Sequence, residues 1–249
     1  MKKLLFAFLL SASLYAEEPL VVGTTSGYAP YVSLNEKGAY EGFDIDLANL
    51  LAQKLGRKLV IKDCGSMPSL MLALQQDKVD ALIWAISITE ERQKTLEMVY
   101  YQGERVTEMP FLFWKEIPSQ IQSIADLGKD PSKTVCVEAG SFQESVVNAS
   151  PTVKFKNVYK ITDALLELRY GKSFAAAVDP SLVSHFQAKY PEIKVLKLPL
   201  PPAQQSLGNG ICIKKEKQAL ATQVKQAVAE LRAEGKIAEL EKKWKMDTP

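Results

Sequence analysis

The run W-A-I-S-I-T-E-E-R, Trp84 to Arg92, places an apolar segment, a hydroxyl, a helix start and a guanidinium in close succession. Ser87 and Arg92 can converge there on one small anion. A shielded arginine offers a planar fork of N–H donors that meets a carboxylate in two parallel bonds. Standing alone, Thr89-Glu90-Glu91-Arg92 reads as a capped surface helix with Thr89 as the cap. Its chemistry therefore depends on what the rest of the chain brings beside it.

The elements that position this run alternate between strand-like and helical patterns, which argues for α/β construction with largely parallel sheets. Leu20 to Thr24 is an apolar strand. Asp44 reads as the N-cap of a helix whose apolar side is Ile45, Leu47, Ala48, Leu50, Leu51 and Leu55, and Gly56 ends it. Leu59 to Ile61 is a strand, Leu70 to Gln75 a helix, and Ala81 to Ile86 a buried strand leading to Ser87. A second set begins near Glu116. In it Thr134 to Val137, Val153 to Val158 and Phe174 to Val178 are strands, with helices opening at Gly140-Ser141, Thr162 and Pro180. Pro199, Pro201 and Pro202 then mark a crossing segment. Gly210 to Lys214 is a last strand, followed by an amphipathic helix over Ala219 to Glu234 and a short one through Trp244. Two α/β sets with a strand and helices after the prolines fit two lobes joined by two crossings.

With 249 residues and 47% hydrophobic content, the chain can bury one large core or two modest ones. Lys2 and Lys3, the apolar stretch Leu4 to Leu14 and the small Ala16 before Glu17-Glu18-Pro19 read as a secretory signal over residues 1–16. The apolar stretch is short for a membrane span. Leu14 is larger than such cleavage sites prefer. The first cysteine is Cys64, so no lipid anchor on a new N-terminal cysteine is expected. The 31 basic and 29 acidic side chains become 29 of each once Lys2 and Lys3 are removed. That balance offers nothing to nucleic acid or an anionic membrane. Cys64, Cys136 and Cys212 allow at most one disulfide and carry no metal-site spacing. The lone His185 reads as an ordinary helix residue, and no metal or other cofactor is expected.

Six segments in order, V-V-G-T-T-S-G-Y-A-P-Y, E-G-F-D-I-D-L-A, S-I-T-E-E-R, G-S-F-Q-E, A-A-V-D-P and E-L-E-K-K-W, resemble the polar amino-acid branch of the bacterial extracellular solute-binding proteins that serve ABC importers. The resemblance covers nearly the whole chain after residue 16. It implies a two-lobed periplasmic-binding-protein fold of type II, each lobe a mainly parallel sheet flanked by helices. Residues 17–103 and 205–249 would form a discontinuous first lobe, and residues 104–204 the second.

A free α-amino acid demands a cation for its carboxylate and an anion for its ammonium, because an unpaired buried charge is costly. By resemblance, Arg92 binds the carboxylate and Asp179 the ammonium. Ser87 and the main chain of Ala85 lie beside the ligand's backbone-like part, and Ser141 at its helix start suits a carboxylate oxygen. Tyr28 is an aromatic wall. Several positions depart from the family's pattern. Thr25 stands where binders of cationic amino acids often carry an aspartate, Met67 where a second aromatic wall is usual, Trp84 where a small residue is usual, and Phe142 often has a threonine counterpart. Glu138, at the end of its strand, faces the ligand side chain in relatives; read on its own it is a solvated carboxylate. A carboxylate beyond aromatic faces favours arginine or lysine, with glutamine next. The expected partners are thus a free amino acid and an inner-membrane ABC permease, for a periplasmic monomer that performs no covalent chemistry. Two rivals carry the same fold: a dehydratase of aromatic amino-acid precursors, and a sensory or surface protein without transport.

Overall fold

The computed structural model describes residues 18–246, so the export signal read over residues 1–16 lies outside the described residues. The chain opens with β1 (Leu20–Thr24), a small hairpin of β2 (Ser33–Leu34) and β3 (Tyr40–Glu41), α1 (Phe43–Lys54), β4 (Leu59–Asp63), α2 (Met67–Gln75), β5 (Ala81–Leu82), α3 (Glu90–Thr95) and β6 (Leu96–Gln102). It continues with β7 (Glu108–Trp114), β8 (Val135–Glu138), α4 (Phe142–Asn148), β9 (Phe155–Val158), α5 (Ile161–Arg169), β10 (Ala175–Ala177), α6 (Val183–Lys189) and β11 (Ile193–Pro199). The last elements are β12 (Asn209–Lys214), α7 (Gln218–Ala233) and α8 (Lys236–Lys243).

Two five-stranded sheets organise these elements, in the orders β4-β1-β5-β12-β6 and β11-β7-β10-β8-β9. In the first sheet β1 runs parallel to β4 and β5, and β12 is antiparallel to both its neighbours. In the second, β8 runs parallel to β9 and β10, and β7 is antiparallel to both its neighbours. Each sheet is therefore parallel except for one reversed strand, the one the chain uses on entering that sheet from the other. The two crossings hold each other: Val106 N–H donates to the Ser206 carbonyl at 3.0 Å, and Leu200 N–H to Thr107 at 2.8 Å.

The strand periodicity of two decides where side chains go. In β7, Met109, Phe111 and Phe113 enter one apolar cluster, while Leu112 between them joins the other. Cys136 and Ala176 likewise point opposite to Val135, Val137, Ala175 and Ala177. The second sheet is thus buried on both faces, as a parallel sheet flanked by helices must be. In α7 the buried set Leu220, Ala221, Val224, Ala227, Val228 and Leu231 follows the helical repeat and lies on the core of the first lobe. All three cysteines are free thiols, with Cys136 and Cys212 fully buried.

Three sequence readings need correction. The strand expected over Ala81 to Ile86 leaves the sheet after Leu82, and Ala85 takes a left-handed φ of 45°. The chain beyond it is still held, because Gly210 N–H donates to Ile86 O and Ile88 N–H to Gly208 O, both at 2.8 Å. Asp44 is not the cap of α1. Gly42 occupies that position, at φ 133°, where a Cβ would stand 2.0 Å from the Tyr31 carbonyl. Asp44 instead turns inward and is 1% exposed. The second strand set begins at Glu108 rather than near Glu116, since β7 precedes it.

Candidate ligand-binding site

Arg92 sits one turn inside α3, whose N-cap Thr89 accepts from the Arg92 N–H at 3.2 Å. That short helix aims the guanidinium back across the end of its own lobe. Nη1 donates to the Ser87 carbonyl at 2.8 Å and Nη2 to the Gly140 carbonyl at 3.0 Å. The second bond crosses from the first lobe to the second. Burial pulls the guanidinium below its ordinary value, but an arginine keeps its charge.

Gly140 is fixed from its own side. Its N–H donates to Glu144 Oε2 at 2.5 Å, while the Glu144 N–H donates to Ser141 Oγ at 3.0 Å. Ser141 is thus the N-cap of α4, and its own N–H is taken by the Glu138 carbonyl at 3.2 Å. A Cβ on Gly140 would lie 3.1 Å from Met67 Cγ, so Met67, at the start of α2, faces the second lobe where a glycine lets the main chain approach. Phe142 goes elsewhere. It belongs to the apolar cluster of the second lobe, as do Met109, Phe111 and Val146, and it is not among the residues that line the cavity described below.

Tyr28 and Trp84 form the wall on the first lobe, ring centroids 5.0 Å apart and both nearly buried. The Tyr28 hydroxyl is held well above the usual tyrosine range, first by burial and then by the negative fields of Asp179 and Glu138. Those two carboxylates belong to the second lobe, so they face Tyr28 across the cleft. Glu138 ends β8 and is 6% exposed. Burial pushes its carboxyl up to about 8, with Asp179 adding to the rise and the Ile161 N–H at the start of α5 opposing it. Asp179 follows β10 and caps the 3-10 turn Pro180–Leu182 through one oxygen only. Its Oδ1 accepts from the Ser181 N–H at 2.9 Å and the Ser181 hydroxyl at 2.5 Å. Burial raises this carboxyl too, against those two bonds. Its Oδ2 has no partner among the described residues.

Thr25, Gly27, Tyr28 and Trp84 from one lobe enclose with Glu138 and Ile161 from the other a cavity of about 10 Å3. An amino acid is far larger, so the lobes must part to admit one. Tyr159 and Lys160 also line this cavity and carry no signal in the sequence. Ala85 follows Trp84 but is not among the lining residues, and its main chain is held from the interior of the first lobe. Its N–H donates to Asp44 Oδ2 at 2.8 Å and lies 3.1 Å from the Tyr101 hydroxyl, which donates to Asp44 Oδ1 at 2.8 Å. Burial pushes Asp44 up to about 7, opposed by these two bonds. Asp44 and Tyr101 were not among the sequence candidates. The signal for Asp44 was its helical spacing from Ala48 and Leu51, which places it on the buried face of α1.

Ser87 is 7% exposed and pairs with Asn209 of β12, which anchors the loop before α3. Among the described residues no group of His, Cys, Asp and Glu is placed to hold a metal ion, and no helix is long and apolar enough to cross a membrane. The arrangement thus brings the Arg92 guanidinium of the first lobe and the carboxyl groups of Asp179 and Glu138 of the second within electrostatic reach of the same ring, Tyr28.

Proteins of known kind are similar to this chain in sequence and fold. The probable ABC transporter arginine-binding protein ArtJ of Chlamydia trachomatis is 33% identical over 91% of this chain and 86% of its own. An ancestral arginine-binding protein bound to arginine superposes with a TM-score of 0.80 at 28% identity, covering 92% of this chain and 99% of its own. An ancestral arginine-binding protein bound to glutamine gives 0.77 at 29%, covering 91% and 97%. Residues 20–247 match the bacterial extracellular solute-binding proteins, family 3, and the chain belongs to that family.

Proposed function

We propose that this protein is an extracytoplasmic monomer that captures a free polar amino acid between its lobes and hands it to an ABC permease. Arginine is the first choice, then lysine, with glutamine as runner-up. The observation that carries this reading is the opposition of charges across the cleft. Arg92, from the first lobe, reaches to Gly140 of the second, while Asp179 keeps one oxygen uncommitted. A zwitterion placed between them satisfies both and draws the lobes together. The lobes in this reading meet at the two crossings, with residues 17–103 and 205–249 on one side and 104–204 on the other.

A thermal-shift screen against the twenty amino acids tests the reading. A ligand at a hundred times its dissociation constant should add about 2.7 kcal/mol of stability. A chain whose melt moves with none of them is not an amino-acid binder.

Glu138 decides the preference for a cationic side chain, and its titration makes that checkable. With its carboxyl held up near 8, Glu138 keeps its proton at pH 6 and loses it as the pH rises through that value. A guanidinium beside it favours the ionised form, so arginine binding releases this proton and tightens as pH rises. Glutamine has no charge to reward. Asp179, also raised, serves the ammonium of either ligand, so its contribution cancels in a comparison of the two. From pH 6 to pH 8 the arginine-over-glutamine preference should grow about tenfold or more, each decade of ionisation being worth about 1.4 kcal/mol. In Glu138→Gln the preference should shrink and become flat with pH. Competition titrations measure it, and a wild-type ratio that does not change with pH removes Glu138 from the pocket.

A further inference from the structure

In an unbroken strand Trp84 and Ser87, three positions apart, would face opposite sides of the sheet. Here the Trp84 ring lies tilted against Tyr28 at the cavity, centroids 5.0 Å apart, while the Ser87 carbonyl accepts from Arg92. The left-handed turn at Ala85 lies between them and breaks the alternation. A residue with a Cβ resists that conformation, so something must hold it. Among the described residues the Ala85 N–H is bonded by the Asp44 carboxylate and the Tyr101 hydroxyl alone. Both are almost wholly buried, and among the described residues no cation pairs with Asp44. A charge-bearing group in such a place is costly to keep. A cap or a packing contact does not require it.

We propose that Asp44, braced by Tyr101, is a positioning residue that locks the Ala85 turn and so sets Trp84 and Ser87 on one ligand. This rests on the amino-acid-binding reading above. It predicts that the need for Asp44 disappears where the turn costs nothing. Glycine takes φ near +45° without a Cβ penalty, so Ala85→Gly is the relieving change.

The experiment measures L-arginine affinity calorimetrically in four proteins: wild type, Asp44→Asn, Ala85→Gly and the double variant. L-glutamine replaces arginine if only glutamine binds the wild type. Asp44→Asn is expected to weaken binding about tenfold in the Ala85 background and at most about threefold in the Ala85→Gly background, the difference being the coupling between the two positions. Hydrogen exchange of the Ala85 amide should quicken in Asp44→Asn. Tyr101→Phe, which keeps the carboxylate, should repeat the pattern more weakly and decides the matter if Asp44→Asn does not fold. An equal penalty in both backgrounds, or wild-type affinity in Asp44→Asn, overturns the positioning role. A wild-type protein that binds no amino acid sinks the underlying reading instead.

Discussion

Replacing Arg92 with alanine is expected to abolish amino-acid binding while leaving a folded protein with a cooperative melt. The side chain's own bonds go to two main-chain carbonyls, Ser87 in its own lobe and Gly140 in the other. Neither belongs to an apolar core, and every residue of α3 is at least partly exposed. Folding therefore loses little. Binding, in the proposed reading, loses the guanidinium that pairs with the ligand carboxylate. Breaking a desolvated charge pair costs about 2–5 kcal/mol, or about thirtyfold to several thousandfold in affinity. Arg92→Lys should also bind poorly, because an ammonium is a point charge that cannot reproduce the two-pronged fork now spanning Ser87 and Gly140. Titration calorimetry on the alanine and lysine variants, with a circular-dichroism melt for each, supplies both halves of the test. Wild-type affinity in Arg92→Ala would show that the ligand carboxylate lies elsewhere.

How much of this was legible in the sequence follows from how local each signal is. The helices α1, α5 and α7 carry their apolar residues at helical spacing, and the sequence places all three to within a few residues. The strands β6, β7 and β11 have no counterpart in the sequence reading. β7 contains Pro110, a residue that argues against a central strand, yet the antiparallel register seats it opposite Lys197. β11 ends at Pro199, the first residue of the proline cluster that reads as a crossing. The pairing of ligand-facing residues is non-local as well. Arg92 meets a carbonyl 48 residues away, and Asp44 an amide 41 residues away. No local pattern reports such a contact. An aspartate at a helix start has an ordinary local reading as a cap, and that reading hid the role of Asp44. Phe142 was misplaced for the complementary reason. Its neighbour Ser141 sits at the cleft, but the first turn of α4 swings the next side chain into the core.

The neutralising change Asp179→Asn is expected to cost binding nearly as much as the loss of Arg92, and to leave stability almost untouched. In the proposed reading Asp179 performs two tasks with two oxygens. Oδ1 caps the turn at Pro180 through the Ser181 N–H and hydroxyl, and Oδ2, without a partner among the described residues, is the oxygen the proposed reading gives to the ammonium. Asparagine is as good a cap as aspartate, so the turn survives the change. What disappears is the charge, and an ammonium desolvated in the closed cleft then lacks its partner. The expected loss is about 2–5 kcal/mol, typical of truncating one side of a buried pair. The ligand can be altered instead of the protein. An Nα-acetylated arginine keeps the carboxylate for Arg92 and the guanidinium for Glu138 but offers Asp179 no positive charge, so it should fail with the wild type. The two changes remove the same interaction from opposite sides. Acetylated arginine should accordingly lose little more in Asp179→Asn than free arginine has already lost. If acetylated and free arginine bind the wild type equally well, Asp179 is a cap and nothing else. The ammonium must then be held by another group, and the opposition of charges across this cleft would lose one of its two poles.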